Sequence, residues 1–317
     1  MTISHDIEKA HNRIEQHILK TPLLPSSYLG ELNSGEVFLK LESEQYTGSF
    51  KARGALNKVL ALSDRERAMG MMTASTGNHA QGFARALSIS GDNGTIFLPE
   101  NADPGKVEAL RSYTTKLEFF GDNCLDTELH AKAMAGERGM AWVSPYNDYD
   151  VICGQGTIAK EITETLDHVD VVLACIGGGG MISGVAGWFK DRSPNTEIIG
   201  CLPERSAEMK LSIDAGHVIV LDEAEDTLSD GSAGGLETDS ITFEMCQKTV
   251  DSYETATEEE IAEAIRFMVD KHHKIIEGAA GVAIACYKKL AHQLKGKRVV
   301  IVICGANITS DKLKQLI

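Results

Sequence analysis

The 317-residue chain is short of the features that mark membrane, nucleic-acid-binding and disulfide-stabilised proteins. No apolar run approaches the roughly 18 residues of a membrane-spanning helix. Basic residues are in deficit: 31 Lys and Arg stand against 46 Asp and Glu, a formal net charge of −15. That balance excludes non-specific attraction to nucleic acid or to an anionic membrane surface. Cysteines number seven, an odd count, and no Cys-x-x-Cys pair occurs. Neither a disulfide framework nor a zinc knuckle is indicated, and several of these cysteines sit in apolar runs as small core residues. A reducing cytoplasm fits best. Internal repeats, low-complexity tracts and Pro/Gly linkers are missing too. The first twenty residues are no signal peptide, because Ile7, Ala10, Ile14 and Ile18 recur at the spacing of an amphipathic helix.

What is present is globular: 43% hydrophobic and 24% charged residues. Short apolar runs alternate with helical patterns. Strands are expected at 37–41, 70–74, 95–98, 116–120, 171–176, 197–201 and 299–304, with helices at 50–62, from near Asn78, and at 181–190. Strands alternating with helices predict an α/β fold of parallel sheets covered on both faces. The units are too many for one small sheet. Two open, twisted-sheet domains are expected, the large one from residues 1–68 and 148–317 and the small one from 69–147.

The segment Tyr46-Thr47-Gly48-Ser49-Phe50-Lys51-Ala52-Arg53-Gly54 sets one lysine beside an aromatic ring where a loop becomes a helix. Gly48 and Ser49 read as a turn and an N-cap, so Lys51 falls in the first helical turn. The helix dipole disfavours a cation there. The position suits an amine that has lost its charge, as in an imine with an aldehyde cofactor.

Three further segments sit where strands end. Gly177-Gly178-Gly179-Gly180, before Met181, lets backbone N–H groups converge on an anion at a helix start, and four glycines exceed what a tight turn needs. Ile182 and Ser183 break the dinucleotide fingerprint, and no Gly-Lys-Ser/Thr ending makes a P-loop, so a small monophosphate fits better. Ser75-Thr76-Gly77-Asn78-His79 could grip a carboxylate through hydroxyls and exposed N–H groups. Cys304-Gly305-Ala306-Asn307 closes the last apolar run, where parallel sheets bind ligands. The acidic run Asp222, Glu223, Glu225, Asp226, Asp230 reads as a solvated loop, and His272-His273 as a solvated pair on a helix, so no metal site is expected.

In this order the segments resemble the fold-type II, pyridoxal-phosphate-dependent threonine/serine dehydratase family, which includes serine racemases. The likeness runs from Thr21-Pro22-Leu23 through Cys153-Gly154-Gln155-Gly156-Thr157 and Glu277-Gly278-Ala279-Ala280-Gly281 to Asn307. It implies a tryptophan synthase β-like fold, pyridoxal 5'-phosphate (PLP) as cofactor, a homodimer and a small amino-acid substrate. Lys51 would hold the cofactor and serve as general base, and Phe50 would pack near its ring. Gly177, Gly178, Gly179, Gly180 and Met181 would take the phosphate, Asn78 the phenolic oxygen and Cys304 the pyridine nitrogen. Ser75, Thr76, Gly77, Asn78 and His79 would bind the substrate carboxylate.

The implied reaction is β-elimination from a hydroxy amino acid such as L-threonine or L-serine, giving a 2-oxo acid and ammonia. Racemisation is the alternative, with a specialised substrate such as 3-hydroxyaspartate or a hydroxyectoine-derived amino acid as another. Serine racemases carry a serine where Thr76 stands, and the threonine methyl restricts χ1, so elimination is expected to dominate. Relatives that bind a divalent cation use a glutamate where this chain has Leu202, which Ser206 and Glu208 do not replace. No room is left after Asn307 for a regulatory domain, so feedback inhibition of that kind is not expected.

Overall fold

The apolar runs form strands, and the computed structural model describes residues 2–113, 115–221 and 225–317. In chain order the strands are β1 (Leu23–Pro25), β2 (Glu36–Leu41), β3 (Met71–Ala74), β4 (Gly94–Leu98), β5 (Lys116–Phe119), β6 (Ala141–Trp142), β7 (Val171–Cys175), β8 (Glu197–Pro203), β9 (Ser252–Ala256) and β10 (Arg298–Ile303). One sheet runs β1-β2-β10-β7-β8-β9, and a second runs β5-β4-β3-β6. Every pairing is parallel except that of β1, which lies antiparallel on β2. Helices cover both faces, as parallel sheets require, and β7 is buried at every position.

Strands read from the sequence agree with these bounds to within one or two residues. The exceptions are β1, β6 and β9. Two of these are too short to show a period, and β9 (Ser-Tyr-Glu-Thr-Ala) is a half-exposed edge strand. The N-terminal helix Ile3–Ile14 buries Ile7, Ala10 and Ile14, as its periodicity demands. His272 is not simply solvated: its Nε2 lies 3.0 Å from Ser26 Oγ and its ring packs edge-on to Tyr28 and Phe267. His273 ends that helix in the left-handed region, with φ 54°. Asp222 and Glu223 lie outside the described residues.

A buried ionic quartet lies beside β2 of the six-stranded sheet. Arg53 donates from Nε to Glu42 Oε2 (2.7 Å) and from Nη1 to Glu161 Oε1 (2.6 Å), while Lys40 Nζ reaches Glu161 Oε2 (2.5 Å). All four side chains are at most 1% exposed. Burial opposes the charge on Arg53, but Glu42 and Glu161 more than offset it and hold the guanidinium charged. The quartet pins the start of the helix Lys51–Ala61 to the end of β2 and to the helix Tyr149–Thr165.

Candidate active site

At the C-terminal end of the large sheet, β7 runs into Gly177 and β10 into Cys304, on neighbouring parallel strands. The lysine segment is stitched to the end of β10. Phe50 N–H donates to Cys304 O (3.0 Å), and Ala306 N–H donates to Gly48 O (2.8 Å). Ser49 forms a β-bridge with Gly305. Ser49 is therefore not the N-cap read from the sequence. That position falls to Phe50, with no side-chain cap, and Ser49 Oγ is buried without a partner. Lys51 does open the helix. One cleft gathers Phe50, Lys51, Tyr146, Gly177–Gly180, Met181, Ser232, Glu277 and Cys304.

Lys51 Nζ lies 5.2 Å from the Phe50 ring centroid and donates to Pro145 O at 2.7 Å. Desolvation lowers its pKa from 10.5 to about 8, although Cys304, Glu277 and Glu128 pull the other way. About a fifth of the amine is then neutral and nucleophilic near physiological pH, against about a thousandth for an ordinary lysine.

The glycine loop is required by packing. A Cβ on Gly178 would fall inside the Tyr146 ring, and one on Gly177 would sit 2.7 Å from Ser232 O. Gly179, at φ 84°, is the N-cap of the helix Gly180–Arg192 and offers no side chain to its first-turn N–H groups. An uncapped, buried helix start beside a partly neutral lysine fits a phosphate-bearing aldehyde. Gly177–Gly180 and Met181 would hold the phosphate and Lys51 the aldehyde carbon.

The Ser75–His79 loop follows β3 in the four-stranded sheet, and its helix Asn78–Ser90 also starts without a side-chain cap. Ser75 to Asn78 are half-buried. Ser75 Oγ accepts from Gly77 N–H at 3.2 Å. His79 departs from expectation. Its side chain turns inward, with Nε2 at 3.0 Å from Thr73 Oγ1 and 3.1 Å from Val143 O. Burial, with Lys51 nearby, lowers its pKa to about 3, so it is a neutral core residue and only its backbone could meet a carboxylate.

Glu277 is the residue that sequence reading passed over, although its segment was noted. It accepts from Asn78 Nδ2 (2.9 and 3.0 Å) and from Asn307 N–H (3.1 Å), and Cys304 Sγ lies 3.8 Å from its Oε1. Burial raises its pKa against those hydrogen bonds. Burial and Glu277 also keep the Cys304 thiol protonated. Asn78 thus ties the loop after β3 of the four-stranded sheet to Glu277, which also holds the segment after β10 of the six-stranded sheet. No sequence period could reveal this, since the partners come from positions 78, 277, 304 and 307. Among the described residues, no group of three His, Cys, Asp or Glu side chains is placed to hold a metal ion. Ser206 Oγ donates instead to the buried Glu208 (2.8 Å).

The profile of the family described as pyridoxal-phosphate dependent enzyme matches residues 14–305. This chain belongs to that family. L-threonine ammonia-lyase of Thermotoga maritima is 40% identical over all of this chain and 78% of its own length. Among solved structures, the processed form of threonine deaminase isoform 2 from Solanum lycopersicum superposes with a TM-score of 0.93. It is 33% identical, over 99% of this chain and 86% of that one. Maize serine racemase gives 0.92 at 28% identity, over 99% and 96%. The fold is that of the fold-type II PLP enzymes, the protein is a PLP-dependent lyase, and PLP is its cofactor.

Proposed function

We propose that the protein eliminates water from a β-hydroxy L-amino acid such as L-threonine or L-serine, releasing a 2-oxo acid and ammonia. The whole-chain similarity to an L-threonine ammonia-lyase carries this reading, and the site's chemistry supports it. When bound, PLP supplies an aldehyde for amines and an electron sink for the Cα–H bond. Among the described residues Lys51 is the only lysine lining the cleft, and its depressed pKa suits it to hold the cofactor and then to take the Cα proton. Phe50 flanks the amine. The substrate carboxylate would lie on Ser75, Thr76, Gly77 and the N–H groups of Asn78 and His79. Asn78 would give up part of its bond to Glu277 to reach the cofactor's oxygen. A protonated Cys304 would face the pyridine nitrogen and leave it uncharged, which favours prompt loss of the β-hydroxyl over a long-lived carbanion.

Purified, PLP-loaded protein should form 2-oxobutanoate from L-threonine and pyruvate from L-serine, with product outpacing racemisation of recovered substrate. Racemisation faster than oxo-acid formation would replace elimination with a racemase reading.

We also propose domain limits near residues 69 and 147, a cytoplasmic location and a homodimer. The sheets divide at those limits. Among described residues six cysteines are free and buried, as a reducing compartment allows. Exposed Leu24, Tyr28 and Leu32 offer an apolar surface for a second copy. Light scattering should give twice the 34.3 kDa chain mass, and a mass of one chain would reject the dimer.

A further inference from the structure

Two carboxylates near Lys51 play no part in the reaction above. Glu128 lies on the small-domain helix Cys124–Arg138, and Glu237 lies on the large-domain loop beyond Ser232. Each has its Oε1 buried with no hydrogen-bond partner. Buried carboxylate oxygens are seldom left unpaired, because each gives up its hydration for nothing. Two such atoms, from segments more than a hundred residues apart, call for a reason.

Their surroundings connect them to the cleft. Glu237 N–H donates to the hydroxyl of Tyr146 (2.8 Å), whose ring covers Gly178. Lys132, one turn beyond Glu128 on the same helix, is paired with Glu237 Oε2, which leaves Oε1 over. Glu128 thus stands one turn from Lys132, whose partner Glu237 holds Tyr146 at the cleft that Lys51 lines, and its charge is felt by both Lys51 and Tyr146. Burial, and after it Glu237, raise the Glu128 pKa to about 7, while Lys132 and Lys51 oppose them. Negative charge is already crowded here.

We propose that Glu128 and Glu237 form the side-chain end of the substrate cleft, where their free oxygens accept hydrogen bonds from a hydroxyl or ammonium group and exclude a side-chain carboxylate. This rests on reading the cleft as an amino-acid site. It narrows the substrate to amino acids whose side chain donates, and it sets 3-hydroxyaspartate aside. A third carboxylate would meet like charge and offer no donor, whereas a hydroxyl would give an orphaned oxygen its partner.

The test compares L-asparagine with L-aspartate, unreactive ligands alike in shape and different in charge, by thermal shift of the PLP-loaded protein. Wild type should bind asparagine about tenfold or more tightly than aspartate, and Glu128→Gln should bring the two within about threefold. In turnover, Glu128→Gln should lower the kcat/KM ratio of L-threonine to threo-3-hydroxyaspartate by about tenfold. An unchanged preference in Glu128→Gln, or a wild type that prefers aspartate, overturns the proposal, even with threonine turnover intact. A retained asparagine preference without any oxo-acid product would instead support the subsite and sink the dehydratase reading. Binding of neither ligand would overturn the proposal, with threonine turnover deciding the dehydratase reading separately.

Discussion

Lys51→Ala is expected to lose oxo-acid production by on the order of 10⁴-fold or more, because one side chain both holds the cofactor and moves the Cα proton. The fold should survive. Among the described residues the native amine's only hydrogen bond goes to Pro145 O, so its loss costs about 1 kcal/mol. Circular dichroism should match wild type, while the visible absorption of amine-bound cofactor disappears. Residual turnover within about tenfold of wild type would remove Lys51 from the mechanism. The same amine predicts a pH dependence. Its neutral form reacts with an aldehyde, and its pKa is lowered from 10.5 to about 8. Cofactor uptake by the free protein should therefore rise as pH climbs through about 8 and level off above it. A rise centred near the ordinary lysine value would mean the amine is solvated.

Arg53→Ala should produce the largest loss of stability, about 3–5 kcal/mol, because it leaves Lys40 alone against two carboxylates in a dry core. Denaturant midpoints should fall with the slope unchanged. Arg53→Met combined with Glu42→Met keeps the Lys40–Glu161 pair and should recover most of the loss. A cost below about 1 kcal/mol for Arg53→Ala would show that water enters the quartet. The folded state lowers the Glu161 pKa: burial works to raise it, but Arg53 and Lys40 prevail. Its contribution is complete above the ordinary carboxylate range and is lost as pH falls through the lowered value, so acid should erase much of the difference between wild type and variant.

Much of this was legible in the sequence because the decisive segments are local. A strand buried on both faces must be a continuous apolar run, and β7, β8 and β10 are. A backbone that must pass under Tyr146 must lack side chains, so Gly177–Gly180 announces itself. Ser49 misled because an N-cap was inferred from residue type alone, whereas tertiary pairing with Gly305 decided the geometry. His79 misled because an α-helix carries successive side chains to different faces, so the residue after Asn78 points into the core. Glu277, Arg53 and Glu128 were silent. Each draws its meaning from partners far along the chain, and an isolated charged residue has no period to betray it.

The place of β10 governs how the molecule comes into being. β10, some way along the chain after β9, is threaded into the middle of its sheet, between β2 and β7. Until it arrives, the N-terminal strands and the β7–β9 block share no ladder and leave two open edges, the kind of surface that invites mispairing. Phe50 and Ser49, just before Lys51, likewise gain their backbone partners Cys304 and Gly305 only at that moment. The nascent chain thus carries its reactive amine, unpositioned, until β10 has been made, and the cofactor pocket and the completed sheet come into existence together.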